Sequence, residues 1–527
     1  MAKLTSKTTG KRKTTNYMGE PAYELNPKDK LVNLCATCMF GEPKYYGKVD
    51  KQILKACDDI AKKDAEFILK LAAYCRNELY LRTISTVLFV KAANLKQLKG
   101  TGLIKKYAPF ILKRADEINE ALACQLKLFD KPIPNSLKKA IVKVFPSFDT
   151  YQFGKYNRKT DVSFKSAIML THPKEPSDII KKILDDTLET PYTWETELSE
   201  KGNKAEVWDK LIELRKLGYF AAIRNINNMI KAGITKHKMI IDYITNPVAI
   251  KNSKLLPVRF LSAYEAINSK SSGLFESDID IAKKFKKAVS DALQMSTKTN
   301  VPQVPGKTIV ICDNSGSARG DAGGRSKLSI KSARTMADTG NLMGLMTWYA
   351  CDDTIFGVFG DRLTLVRPDR EKPILDNFAA VNEAGSNVGG STEEGVFVML
   401  EKMIKDKIKA DRLIVCSDLQ IGDGKNSEYG LGLSRRNGDY DRTVPKLLKT
   451  YRDTINPNIK YYSICFSGYG TDVIENDRIL INGWSDRIFK FINTTETSQT
   501  KYIDESYTLD ELSLQTPKIQ KQEVKKQ

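Results

Sequence analysis

The apolar pattern of this chain changes period near residue 300, and that change predicts two differently built parts. Before it, apolar residues recur at helical spacing. Residues 51–74 place Ile53, Leu54, Cys57, Ile60, Ala61, Phe67, Ile68 and Leu71 near a 3.6-residue period. Similar stretches cover 77–98, 111–129, 136–144, 177–188, 205–217, 220–232 and 279–295. Short Gly, Pro and Asn breaks separate them. Many helices on short loops predict stacked helix pairs, an α-solenoid, with a globular bundle as the alternative. After a linker at 300–306, apolar runs at 308–312, 342–350, 412–416 and 460–466 read as strands. Helical stretches at 329–337, 393–404 and 443–452 lie between them. That alternation predicts a mostly parallel sheet covered by helices, an α/β domain.

Charge follows the same division. Residues 1–300 hold 53 Lys and Arg against 33 Asp and Glu, and residues 301–527 hold 31 of each. The whole excess of +20 lies in the helical part. Such a surface attracts polyanions, with nucleic acid ahead of an acidic protein or a membrane surface. No apolar run approaches the roughly 20 residues of a membrane helix. The first residues, MAKLTSKTTGKRKTTNY, lack the apolar core of a secretory signal, so a cytoplasmic location is expected. Nine scattered cysteines then read as buried thiols, and Cys35 and Cys38 as packing. With only two histidines, His172 and His237, multi-His metal sites and Ser-His or Cys-His catalysis are poor fits.

The first predicted strand ends in the sharpest motif, TIVICDNSGS at 308–317. It delivers Asp313 to the carboxyl end of a strand, with Ser315 and Ser317 just beyond; ligands of open α/β sheets bind there. A second strand, RLIVCSD, brings Asp418 to the same edge. Between them Gly389-Gly390-Ser391-Thr392 opens a helix and offers Thr392 as a third hydroxyl, with Ser391 as its rival. Carboxylates and hydroxyls are hard oxygen donors, suited to Mg²⁺, or Mn²⁺, rather than Zn²⁺. The alternative is a set of turn and capping residues. The loop ARGDAGGRSK that follows brings Arg319 and Arg325 near enough to compete with a cation.

This set, in this order, resembles the metal-ion-dependent adhesion site of the von Willebrand factor A (vWA) domain. The helical part resembles the TROVE module of the Ro 60-kDa autoantigen family, through TNYMGEPAYELNPKDKL (15–31), FGEPKYYG (40–47), TWETELS (193–199), LGYFAAIRNINNMI (217–230) and LPVRFLSAYEAI (256–267). The chain is similar to a prokaryotic-type Ro over roughly residues 15–500. The resemblance implies an all-α ring of HEAT-like helical repeats followed by an α/β, Rossmann-like vWA domain. The expected divisions are a basic flexible arm (1–16), the TROVE domain (17–300), the vWA-like domain (301–510) and a polar tail (511–527). It also implies a monomeric, non-enzymatic scaffold. A small noncoding, Y-like RNA would bind the outer ring surface, and single-stranded 3′ ends of misfolded RNA the hole, in RNA quality control. An exoribonuclease or another protein is the implied partner of the vWA domain, and no membrane is involved.

Residues 151–174, YQFGKYNRKTDVSFKSAIMLTHPK, set cations among aromatics, a pattern suited to phosphates and unpaired bases. The family's Y-RNA-contacting residues map to Lys155, Lys159 and His172, with Arg158 beside them. His172, before a proline, equally fits a helix cap. Arg224 and Arg259 fit either the ring hole or pairing with Glu265. Two other functions compete with an RNA scaffold. One is a metal-dependent protein-interaction module on a basic helical scaffold. The other is a metal-dependent phosphodiester hydrolase, for which the acidic residues are too few.

Overall fold

The computed structural model describes residues 13–15, 21–37, 51–157, 160–173, 178–255, 257–268, 276–320, 334–390, 392, 395–421, 443–466, 471–474, 478–483, 489, 492 and 498–515. The helices of the first part are α1 (Pro27–Thr37), α2 (Lys51–Asp64), α3 (Glu66–Asn77), α4 (Arg82–Ala93), α5 (Leu103–Ile111), α6 (Ala115–Leu128), α7 (Asn135–Val144), α8 (Thr150–Tyr156), α9 (Phe164–Thr171) and α10 (Asp178–Leu184). Then come α11 (Trp194–Lys201), α12 (Ala205–Glu213), α13 (Tyr219–Ala232), α14 (His237–Ile244), α15 (Pro247–Ser253), α16 (Pro257–Asn268) and α17 (Glu276–Asn300). The α/β part adds α18 (Gly316–Arg319), α19 (Met336–Ala350), α20 (Ile374–Ser386), α21 (Gly395–Lys405) and α22 (Val444–Thr454). Two C-terminal helices follow, α23 (Gln499–Ser506) and α24 (Leu509–Gln515). A helical part followed by a mostly parallel sheet is the predicted fold class. Among the described residues, no helix is long and apolar enough to cross a membrane.

Packing divides these elements into two compact units. One joins α1–α10 to the last two helices, α23 and α24. Within it α3 packs on α4 and α5, α4 on α6, and α5 on α7. The expected single helix over 51–74 is two, α2 and α3, broken at Ala65. Buried acids of α6 are matched by arginines: Glu117 pairs with Arg76 at 2.9 Å, and Asp116 with Arg82 at 3.2 Å. The C-terminal helices are tied in by polar contacts. Tyr507 donates to Glu78 at 3.0 Å, Tyr107 donates to the Tyr507 carbonyl at 3.2 Å, and Lys28 bridges Asp64 and Asp504 at 2.6 and 2.7 Å. Residues 499–510, grouped by sequence texture with the α/β domain, therefore pack with the first helices. The start of the expected polar tail lies in α24.

The other unit holds α11–α17 and the sheet domain. Its six-stranded sheet has the order β5-β4-β3-β6-β7-β9. The strands are β3 (Thr308–Asp313), β4 (Thr354–Phe359), β5 (Leu363–Val366), β6 (Arg412–Ser417), β7 (Lys460–Cys465) and β9 (Ile479–Asn482). All neighbours run parallel except the β4–β5 pair. β3 is buried along its whole length, as its continuous apolar run requires. A small antiparallel sheet joins β1 (Lys13–Thr15), β2 (Pro21–Glu24) and β8 (Thr471–Asp472), so the end of the expected flexible arm is paired as a strand.

One predicted strand is a helix. Residues 342–350 belong to α19, and the strand at that place in the chain is β4. α19 is buried on nearly every side, so its apolar residues run without a polar face and erase the helical period. Its Gly344 lies against the sheet: a Cβ there would sit 2.5 Å from Phe356 and 2.7 Å from the Cys312 sulfur.

Candidate functional site

The carboxyl ends of β3 and β6, adjacent parallel strands, bring Asp313 and Asp418 together. Both are 2% exposed. Asp313 accepts from the Ser315 amide at 2.9 Å and from the Ser417 hydroxyl at 2.6 Å. The Ser315 and Ser317 hydroxyls are 3.1 Å apart. Asp418 accepts from the Gln420 amide at 3.0 Å, with the Ser317 and Ser417 side chains beside it. Four of the five predicted ligands, Asp313, Ser315, Ser317 and Asp418, thus form one cluster. Thr392 is buried beside it, but its hydroxyl donates to the Gln420 carbonyl at 2.7 Å. Ser391 and Arg325 lie outside the described residues, and Arg319 is exposed at the end of α18.

Two loops are fixed against each other at this edge. The Gly316 amide donates to the Gly390 carbonyl at 2.8 Å, and the Gly390 amide to Asp361 at 3.0 Å. Gly389 has φ +91°, and a Cβ on it would fall 2.1 Å from an Asp361 oxygen, so only glycine fits. Behind Asp313, the Asn314 side chain bonds Asn341 at 2.8 Å, and Asn341 bonds Asn382 at 2.8 Å. The sequence reading missed Ser417, whose hydroxyl donates to Asp313 across the two strands, although it sits in the quoted RLIVCSD. The asparagine chain left no signal, because its members lie on three separate elements.

Electrostatics fit a cation. Burial first, and then the neighbouring Asp418 charge, push the Asp313 carboxyl up to about 7; burial also raises Asp418. A divalent ion would reverse the repulsion between them. The donors are all oxygens; among the described residues no group of three or more His, Cys, Asp or Glu is placed to hold a metal ion, at this edge or elsewhere, so hydroxyls would have to complete any set built on the two carboxylates.

In the helical unit, His172 caps α9 in the left-handed conformation (φ +51°) and is exposed. It lines a cleft of about 1020 Å³ together with Lys105, Lys138, Lys139 and Lys143. Among the described residues its lining contains no carboxylate. Lys155 is not part of it; its Nζ lies 5.8 Å from the Tyr156 ring centre. Arg158 and Lys159 lie outside the described residues. Of the three aromatics near them, Tyr151 is 51% exposed, Tyr156 carries the Arg114 guanidinium on its face at 4.4 Å, and Phe153 is core. Phe153 packs on Phe145, Phe148 and Phe164, so it is closed to bases. The lysines of α7 are the residues that sequence reasoning missed. Leu137, Ala140, Ile141 and Val144 bury one face of that helix, which leaves Lys138, Lys139 and Lys143 on the other. Glu265 pairs with Arg334 at 2.8 Å, while Arg259 lies over Phe220 and Arg224 is exposed.

The TROVE domain family matches residues 42–187 and 184–306, together just over half of the chain. This chain belongs to the TROVE family. That is the Ro 60-kDa family its motifs resemble. Telomerase protein component 1 of Rattus norvegicus is 23% identical over 41% of this chain and 12% of its own length. The Mus musculus protein of the same name is 25% identical, over the same shares. The TROVE chain thus spans only about an eighth of these curated relatives. The crystal structure of the Deinococcus radiodurans RO (RSR) protein has the same fold: the TM-score is 0.61 at 13% identity, over 90% of this chain and 100% of that one.

Proposed function

We propose that this TROVE protein is an RNA-binding component of a ribonucleoprotein, a scaffold rather than an enzyme. The observation that carries this reading is the cleft of Lys105, Lys138, Lys139, Lys143 and His172, with no carboxylate among the described residues of its wall. Ammonium groups there displace counterions from phosphates. His172, held at a helix end with its ring exposed, sits where a base or ribose would pass. A structured small noncoding RNA of Y type is the partner this surface suits, with Lys155, Arg158 and Lys159 extending it. Single-stranded ends of misfolded RNA, the ring hole that receives them, quality control with an exoribonuclease, and a cytoplasmic location belong to the same reading and rest on family membership. The test is sequencing of RNA crosslinked to the protein in its own cells. A small structured RNA enriched far above its abundance supports the proposal; recovery proportional to abundance contradicts it.

The vWA-like edge is a separate site in this proposal. Asp313, Ser315, Ser317 and Asp418 would hold Mg²⁺, or Mn²⁺, directly or through water, with Thr392 joining once its hydroxyl leaves Gln420. A bound cation supplies an open position for a partner's acidic side chain. The second reading, a protein-interaction module, is favoured by this buried all-oxygen cluster. RNA affinity that survives Asp313→Ala, with loss of Mg²⁺-dependent protein capture, supports two separate functions.

A further inference from the structure

The His172 cleft has a neighbour. A second hollow of about 720 Å³ is lined by Lys96, Lys99, Lys105 and Lys139, with Asn94 and Asn135. Lys105, Asn135 and Lys139 line both, so the two share a wall. Among the described residues neither lining contains Asp or Glu. Other lysines of this unit are neutralised: Lys91 by Asp58, Lys127 by Asp161 and Lys165 by Asp186. Lys96, Lys99, Lys105, Lys138, Lys139 and Lys143 form no ion pair among the described residues.

The two hollows differ in shape of demand. The His172 cleft takes its lysines mostly from one helix, α7, which spaces cations along a line and suits a backbone. The second collects four ammonium groups from three elements around one hollow of nucleotide size. Its wall also holds Leu95, Leu98, Ile104, Pro132 and Pro134. Four cations about an apolar wall suit several phosphates carried on one nucleoside, with the sugar and base against the wall. A single backbone phosphate would leave most of those cations mutually repelling and unneutralised.

We propose that this second hollow binds the polyphosphate of a nucleotide. Two sources carry that chemistry: the 5′-triphosphate end of an RNA lying in the His172 cleft, and a free nucleoside triphosphate. The first source rests on the RNA-binding reading above; the second does not.

The test titrates the full chain with GTP, with inorganic triphosphate, and with one hairpin RNA carrying either a 5′-triphosphate or a 5′-hydroxyl. Lys96 and Lys99 belong only to the second hollow, and Lys138 and Lys143 only to the first. The expected result is about tenfold tighter binding of the triphosphorylated RNA. Lys96→Ala/Lys99→Ala should abolish that preference and leave the 5′-hydroxyl RNA nearly unchanged. Lys138→Ala/Lys143→Ala should weaken both RNAs alike. GTP and triphosphate binding lost in Lys96→Ala/Lys99→Ala, without any RNA preference, supports the hollow with a free nucleotide as its ligand. Equal RNA affinities with no binding of GTP or triphosphate overturn the proposal, while leaving RNA binding itself standing. Loss of all RNA binding with triphosphate binding intact does the reverse. All four lysines are exposed or half-exposed, and an unchanged thermal unfolding profile confirms that the variants fold.

Discussion

Asp313 shows how a single carboxylate reports on its surroundings. Its ordinary value is 3.8, and burial with Asp418 nearby raises it to about 7. Between those values the folded protein keeps a proton that the unfolded chain has released. Stability without metal therefore falls as pH rises through that window and levels off above it. A divalent cation takes the place of that proton. Added Mg²⁺ should raise the thermal midpoint more at about pH 8 than at about pH 5.5, and Asp313→Ala should remove the difference. A shift independent of pH, or retained in the variant, would reject the site. The residue types were legible in the sequence because carboxylates and hydroxyls crowd the end of an apolar run. The Ser417 hydrogen bond to Asp313 was not, since a serine one position before an aspartate looks like any strand end. The commitment of Thr392 to Gln420 depends on the meeting of two distant loops.

At the scale of elements, period was a sound guide wherever one face meets water. α7 and α13 came out within a residue of their expected bounds, because a buried face alternates with a polar one. α19 failed because both sides are covered. Its Gly344 tests that packing: Gly344→Ala places a methyl inside Phe356 and Cys312, and overpacking of this kind costs about 1–3 kcal/mol. Urea unfolding would measure it; an unchanged midpoint would mean that the helix stands off the sheet. Phe153 gives the same lesson at the RNA segment. An aromatic among lysines suggested stacking on bases, yet a seven-residue helix turns it into a cluster of phenylalanines.

For the whole molecule, the helices give way to the sheet between Asn300 and Thr308, where the texture changes, but the compact units do not divide there, and texture does not say which helices pack together. The two C-terminal helices join α1–α10 through contacts 400 residues or more apart in the chain, such as Tyr507 with Glu78 and Tyr107. Nothing in local sequence encodes such a pairing. Tyr507 is buried against Tyr74 and Tyr502, so Tyr507→Ala should cost about 3–5 kcal/mol in the stability of the helical unit. Loss of its cooperative unfolding at lower urea would confirm it, and an unaltered transition would show that the C-terminal helices are dispensable. The charge division was the most informative whole-chain signal, since the excess of +20 lies before residue 301 and the lysine-lined cleft lies there too. The most direct test is the salt dependence of affinity for a structured small RNA, in the wild type and in Lys138→Ala/Lys143→Ala/His172→Ala. Between about 50 and 200 mM salt, wild-type affinity should fall by orders of magnitude, and the variant should bind at least about tenfold more weakly with a shallower slope. An affinity indifferent to salt, or a variant that binds with the wild-type slope, would contradict RNA recognition by this cleft.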